Sequence, residues 1–477
     1  MKNRELTHGF RGVSPDGDAP ALHVDKGRNS DYHAFGNSVE IRIFSESYMQ
    51  RPVYLETLKR KKENSLVKVI TGIRRCGKSY LLFTLYHEYL KSIGVKDEQI
   101  IELALDDDEN IQYRNPLELG KFIRSKISDN EKMYYVFLDE IQKVAEIKNP
   151  YLPDSEEKIT FVDTLNGLMK IKNVDIYVTG SNSKMLSSDI LTEFRGRGDE
   201  IRVHPLSYRE FSSAYMGKNA WYEYMTYGGM PFLMQLDSDQ DKSKYLHDLF
   251  DKIYLSDVMA RNKILSEKGT LDDLLDFSAS SVGSLVNATT LANTFKSVKK
   301  KKIDDETVRT YLGHFAEAFM IEQVKRYDVK GKKHIGALYK YYFEDVGLRN
   351  ARLNFRQQEE NHIIENIVYN ELKIRGYDVD VGAYEYNSKN SLGQSIRTKL
   401  EVDFVASRGS EKMYIQVALS VSEEEKRLKE INSLRRIKDS FRKLVLVKEP
   451  VVPWQDENGI EYMGIEQWLL GNDEVAL

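Results

Sequence analysis

The chain has 477 residues, 41% of them hydrophobic and 30% charged, with a net charge of −4. That length allows roughly two to four domains, and the near balance of charge confines any nucleic-acid surface to a local patch. No apolar run approaches the ~18 residues of a membrane-spanning helix, the first residues lack an apolar signal core, and the single cysteine, Cys76, excludes an internal disulfide framework and fits a cytoplasmic protein.

Residues 1–48 are polar and dotted with glycine (Gly9, Gly12, Gly17, Gly27, Gly36), and they read as a poorly ordered extension. An amphipathic helix begins at Tyr54-Leu55-x-x-Leu58, which makes Met49 a candidate for the true start. Leu66 to Thr71 is an apolar, β-branched run that predicts a buried strand. It breaks at Gly72, and Gly72-Ile73-Arg74-Arg75-Cys76-Gly77-Lys78-Ser79 is the full phosphate-loop pattern, followed from Tyr80 to Leu90 by apolar residues at helical spacing. Glycines at both ends let the backbone approach a phosphate, the loop and helix N–H groups face the anion, Lys78 supplies a point charge to the β- and γ-phosphates, and Ser79 is placed to ligate Mg²⁺. Cys76, inside this loop, reads as a variable position, with oxidation or alkylation as the reactive alternative.

Gln99 to Leu105 predicts a second strand that ends in Asp106-Asp107-Asp108-Glu109, either a cation site or a solvated loop. After a helix near 116–127, Met133 to Leu138 is an apolar strand ending in Asp139-Glu140, a Walker B pattern. Asp139 would hold the Mg²⁺ shell and Glu140 would polarise the attacking water as general base. Val174 to Thr179 is a further strand whose tip, Ser181 and Asn182, either senses the γ-phosphate or caps a helix. In Glu193-Phe-Arg195-Gly-Arg197-Gly-Asp199, an arginine can reach a transition-state phosphate in cis or from a neighbour; the alternative is an ion-paired surface loop. Pro205 to Phe211 and Tyr227-Gly-Gly-Met-Pro231 bracket a small helical lid.

Taken together, Gly72 to Ser79, Leu138-Asp-Glu-Ile-Gln142, Thr179-Gly-Ser181, Gly196-Arg197, Pro205-Leu-Ser-x-x-Glu-Phe211 and Tyr227-Gly-Gly-x-Pro231 resemble the prokaryotic AAA-type P-loop ATPases joined to a C-terminal domain of unknown function. The resemblance spans roughly 49–450. It implies an α/β fold with a parallel-sheet ATPase core and lid, a winged-helix-like middle and a restriction-endonuclease-like C-terminal domain. The expected division is 1–48 extension, 49–235 ATPase with lid, 236–345 winged-helix-like domain and 346–477 endonuclease-like domain. The nucleotide-binding set is Gly72, Arg74, Arg75, Cys76, Gly77, Lys78, Ser79, Tyr80 and Ser181. The catalytic set is Glu140, Lys78 and Arg197, with Ser79 and Asp139 on Mg²⁺ and ATP as the nucleotide.

Helical patterns at 245–258, 270–281 and 288–297 precede a hairpin at 321–343, an order that suggests a winged helix. Lysines at 296–302 and 330–333 would meet DNA phosphates, or else form a solvated face on a protein-docking module. Farther on, a helix at 361–372 carries Glu365 and Glu371, and Lys399 to Ala406 is a strand whose alternation puts Glu401 and Asp403 on the face opposite Val402 and Phe404. Glu365 and Asp403 match the metal nucleases, with Gln416 at the following acid position, but Ala418 stands where their lysine belongs, and Lys399 and Lys412 are off its spacing. The expectation is a degenerate site in a fold kept for binding. Glu423 to Phe441 predicts one charged helix. The function expected is ATP binding and hydrolysis that switches the C-terminal domains on DNA or a protein, in a chain with no membrane contact and open to oligomerisation; the alternatives are a nucleotide-regulated binding module with little turnover and an ATP-gated nuclease.

Overall fold

The computed structural model describes residues 49–180, 197–264, 268–300, 303–356, 359–389 and 394–471. All belong to the unit Arg42–Leu477. The extension expected at 1–48 lies outside the described residues.

Five parallel strands form the first sheet: β1 (Val67–Thr71), β2 (Ile100–Ala104), β3 (Tyr134–Asp139), β4 (Val174–Thr179) and β5 (Gly198–Arg202), in the spatial order β2-β3-β4-β1-β5. Every residue of β1 and of β3 is buried, as a central parallel strand covered on both faces requires. Helix α1 (Pro52–Lys61) precedes β1. Helix α2, over 78–92, follows the glycine loop and is π-type across Leu81–Tyr86. One apolar core contains Leu82, Tyr86, Phe137 and Tyr177, and a second contains Val69, Val136, Leu138 and Val178. The expected α/β core with a parallel sheet is present.

The lid is α3 (Tyr208–Ala214) and α4 (Ala220–Tyr227). Ser207 and Glu210 form a reciprocal capping box on α3, a signature legible as Ser-x-x-Glu. The Gly228-Gly229 pair is a docking point as well as a breaker. Gly228 has φ +76°, and a Cβ there would overlap the Asp345 carboxylate, which accepts from Gly229 N at 2.6 Å and caps α9 (Val346–Arg352) through Leu348 N at 3.1 Å.

Helices α5 (Asp239–Asp248), α6 (Lys268–Ser280), α7 (Ala288–Thr294) and α8 (Asp305–Glu317) lead into the expected hairpin, β6 (Ile321–Asp328) with β7 (Lys333–Phe343). The hairpin does not stand apart as a wing. It joins β8 (Asp378–Lys389), β9 (Ser395–Arg408), β10 (Glu411–Ala418), β11 (Arg442–Val447), β12 (Trp454–Gln455) and β13 (Ile460–Gly464) in one eight-stranded sheet, ordered β12-β13-β11-β10-β9-β8-β6-β7. The junction is parallel pairing of Arg326–Asp328 with Val381–Ala383, so a division at 345/346 cuts through a single sheet. Helix α10 (Glu360–Ile374) packs in the large core with Phe404, Ala406 and Ile415.

Two further expectations change. The single helix expected over 423–441 is two short ones, α11 (Glu424–Glu430) and α12 (Asn432–Arg436). In β9, Val402 and Phe404 do not share a face: Val402 packs with Val405 in a third core, whereas Phe404 and Ala406 pack with α10. The pairing with β8 shifts register between Asp380 and Gly382, and a bulge of this kind reverses which residues face each side beyond it.

Candidate functional site

The C-terminal ends of β1, β3 and β4 converge on one edge of the first sheet, the position where open α/β sheets bind ligands. Gly72 has φ +139°, and any Cβ would overlap Val203 O; Gly77 has φ +100°. Arg75, between them, also takes the left-handed region, at φ +67°, a conformation side chains resist unless the surroundings impose it. Lys78, 4% exposed, folds its Nζ back onto the loop and donates to Gly72 O at 3.0 Å and Ile73 O at 3.1 Å. Ser79, at the open face, donates from Oγ to Asp139 Oδ2 at 2.6 Å. The other carboxylate oxygen of Asp139 accepts from Thr179 Oγ1. Tyr80 continues the first turn of α2.

Glu140 follows at the strand end with φ +52°, and its carboxylate accepts from Gln142 Nε2. Burial raises its pKa and the Asp139 charge raises it further, against the pull of Lys78 and Arg74. A carboxylate tuned upward beside the loop is a stronger base than a solvated one. Ser79 and Asp139 present hard oxygen donors, which fit Mg²⁺ completed by phosphate and water. Among the described residues no group of three or more His, Cys, Asp or Glu is placed to hold a metal ion. The acidic loop after β2 is tied by Arg114, with Nη2 donating to Asp106 O at 3.0 Å, and Glu109 N donates to Asp107 Oδ1 at 3.1 Å.

The outer side of the loop is clasped by the helical segment that follows α5. Arg74 Nη1 pairs with Asp257 Oδ2 at 2.9 Å, and Tyr254 Oη donates to Arg74 O at 2.9 Å. Cys76 is fully buried, with Sγ 3.2 Å from Val203 O, and burial pushes its thiol pKa up. It is a packing residue, not a reactive one.

Arg197 is not brought to this edge. Its carbonyl accepts from Val67 N at 3.0 Å, and β5 runs parallel to β1 from Val67↔Gly198 to Thr71↔Arg202. That places Arg197 at the opposite end of β1, ~13 Å of strand from the loop at ~3.3 Å per residue, so an action in cis is not available to it. Ser181, Asn182 and Arg195 lie outside the described residues. Two residues at the site were missed by sequence reasoning. For Thr179 the available signal is a polar residue ending an apolar strand. Arg51 gave no local signal at all: 2% exposed, it donates to Cys76 O and His204 O and pairs with Glu210.

The second cluster differs from expectation. Lys340, on β7 and 2% exposed, pairs with Glu365 Oε1 at 2.8 Å and Glu401 Oε1 at 2.7 Å. Tyr342 Oη donates to Glu365 Oε1 at 2.5 Å, and Asp403 Oδ2 accepts from Val417 N at 2.8 Å. A lysine does accompany Glu365 and Asp403, but it comes from the hairpin. Lys399 instead pairs with Glu385, and Lys412 lies over the Tyr327 and Phe441 rings. Gln416 belongs elsewhere: it pairs with Val445 and alternates with Tyr414 and Ala418, which pack in the third core, while Met413 and Ile415 face α10. Glu371 pairs with Arg375 at 2.7 Å. Of the lysine patches, Lys330–Lys333 form an exposed turn capped by Asp328, and Lys299 pairs with Asp273 at 2.6 Å; 301 and 302 lie outside the described residues.

Between the two clusters lies a partly buried ion-pair bridge centred on the buried Glu344. Arg202 pairs with Glu322 and, at 2.6 Å, with Glu344, and His204 Nδ1 lies 2.7 Å from Glu344 Oε1. Burial alone would raise the Glu344 pKa, but Arg202 and His204 hold it down at about 2.

Comparison with known proteins matches three successive segments of the chain. A model of an AAA domain matches residues 64–212, and models of two domains of unknown function, DUF8612 and DUF4143, match 218–359 and 360–468. An uncharacterized protein of Haemophilus influenzae is 32% identical over 433 residues, covering 89% of this chain and 100% of that protein. The uncharacterized protein MJ1544 of Methanocaldococcus jannaschii is 29% identical over 420 residues, covering 84% of each. Among solved structures, Cdc6p from Pyrobaculum aerophilum matches 68% of this chain and 97% of its own at 13% identity and TM-score 0.27. The Aeropyrum pernix Orc1 protein in complex with DNA matches 64% and 92% at 10% identity and TM-score 0.27. Likeness at that level transfers nothing to this chain. No helix among the described residues is long and apolar enough to cross a membrane.

Proposed function

The chain belongs to the family of its Haemophilus influenzae relative and matches an AAA domain over 64–212, and from that premise we propose that it binds ATP with Mg²⁺ and hydrolyses it. The observation that carries this reading is the junction of loop and Walker B strand: Ser79 Oγ on Asp139 Oδ2 at 2.6 Å, with Glu140 next in the chain. Ser79 and Asp139 would hold Mg²⁺, which supplies charge neutralisation on the phosphates. The loop N–H groups and Lys78 bind and orient the phosphates, and for this Lys78 exchanges the carbonyls of Gly72 and Ile73 for phosphate oxygens. Glu140, released from Gln142, takes the proton of the attacking water. Given its place at the far end of β1, Arg197 would serve only a nucleotide held by a neighbouring copy. Nucleotide occupancy acts as a switch on the helices and sheet that follow the ATPase domain, which work on DNA or a protein partner through the lysines at 296–302 and 330–333. The Arg74–Asp257 clasp supports this, since a phosphate at the loop competes for Arg74.

The test is steady-state ATP hydrolysis by the full chain and by Glu140→Gln, each with and without duplex DNA at low salt. Turnover about 100-fold or more above the variant is expected, with nucleotide binding retained in both. Stimulation by DNA would identify DNA as the partner, and indifference to DNA would point to a protein. Binding without turnover in either form would leave a nucleotide-regulated binding module and sink the hydrolase reading.

A further inference from the structure

Arg51 immediately precedes α1, and its side chain is almost wholly enclosed behind the phosphate loop. All three faces of its guanidinium fork are used. Nη1 donates to Cys76 O at 3.0 Å, Nη2 to His204 O at 2.6 Å, and Nε to Glu210 Oε1 at 3.0 Å. The Tyr54 ring lies against the fork, its centroid 4.6 Å from Cζ. None of these contacts is with solvent, and a buried cation is retained in a fold only when such partners hold it in place.

The contact with Cys76 O bears directly on anion binding. In a trans peptide the carbonyl and the following N–H point in opposite directions. With Cys76 O turned inward to Arg51, the N–H of Gly77 is turned away from the core, to the side on which the loop receives a phosphate. Gly77 has φ +100°, and a Cβ there would stand 3.4 Å from Arg51 Nη1. Glycine at 77 therefore leaves the space beside this peptide that Arg51 Nη1 occupies. A lysine, with a single ammonium, cannot reproduce two carbonyl contacts and a carboxylate contact in one plane.

We propose that Arg51 is the positioning residue of the phosphate loop, holding the Cys76–Gly77 peptide in the orientation that presents Gly77 N–H to the nucleotide phosphates. The inference rests on the ATP-binding reading and adds to it a residue that never touches the nucleotide. A positioning role and a merely structural one separate in a binding isotherm. Loss of folded protein lowers the number of sites at unchanged Kd, whereas a misoriented loop raises Kd at full occupancy.

The experiment is fluorescence titration of the full chain with mant-ATP and Mg²⁺, comparing wild type, Arg51→Lys and Glu210→Ala. Arg51→Lys is expected to raise Kd about tenfold, the loss of one charge-assisted hydrogen bond, with stoichiometry unchanged. Glu210→Ala, which leaves the fork anchored only by the two carbonyls, is expected to raise it about threefold; this variant decides the matter if Arg51→Lys fails to fold. Wild-type binding with unchanged Kd in the folded variants, or a fall in stoichiometry alone, would overturn the role of Arg51 and leave the ATP reading standing. No binding by wild type would overturn the ATP reading itself.

Discussion

Asp403→Asn is the most informative single change in the C-terminal cluster. The Asp403 carboxyl is buried, which raises its pKa; Glu365 raises it further, and Lys340 and the Val417 N–H offset only part, leaving it at about 8 from an ordinary 3.8. A carboxyl raised in the fold keeps a proton that the unfolded chain gives up. The contribution is therefore absent below about pH 4, where both states are protonated, and grows as an increasing loss of stability between about pH 4 and 8. At about 1.4 kcal/mol per pH unit, and allowing for water entry and relaxation of Lys340, the ionised group costs the fold on the order of 3–5 kcal/mol at pH 8 and above. Asparagine keeps an acceptor for Val417 N and does not titrate. Urea denaturation across pH 5 to 9 should show the variant more stable than wild type at pH 8.5 by about that amount, with the gap closing toward pH 5. A gap independent of pH, or one that widens in acid, would refute the burial argument. The same proton bears on the nuclease alternative, because a divalent cation at Asp403 would have to displace it.

Glu344→Gln should behave in the opposite sense. The Glu344 carboxyl is held at about 2 by Arg202 and His204, so its stabilisation is present above about pH 4.5 and is lost as pH falls through 2; the variant should be about 3 kcal/mol less stable at pH 7, with the difference shrinking in acid denaturation. Cys76, fully buried with a raised thiol pKa, should be alkylated by iodoacetamide about a hundredfold more slowly in the native protein than in urea, as read by intact mass; rapid native labelling would refute its burial.

The loop 72–79 and the strand ending in Asp139-Glu140 were readable because each is written contiguously, as a glycine pattern or an apolar run ending in acids, and local context suffices to place them. What was not readable depends on pairing between distant strands. A glycine-rich loop makes Arg197 a candidate for the phosphates in cis or from a neighbour, yet parallel pairing of β5 with β1 carries it to the end of the sheet away from its own loop. The alternation expected for β9 assumed an unbroken ladder, and the register shift against β8 overturned it. Lys340 could not be found by spacing, because it reaches Glu365 and Glu401 from a hairpin that precedes both in the chain. Arg51 was invisible for the same reason, since its three partners lie 25 to 159 residues away.

The eight-stranded sheet has a consequence for how this chain is inherited. The two strands at one end of the sheet, β7 and β6, are encoded ahead of helices α9 and α10, and the rest of the sheet after them. A gene fragment beginning after the hairpin would make a sheet with the long β8 stripped of its neighbour, an open edge ready to pair with other chains. A fragment ending after the hairpin would leave the lone β6–β7 ladder without a floor. A break between 343 and 378 would therefore divide the strands of one sheet between two chains and uncover the edge of β8 that pairs with β6.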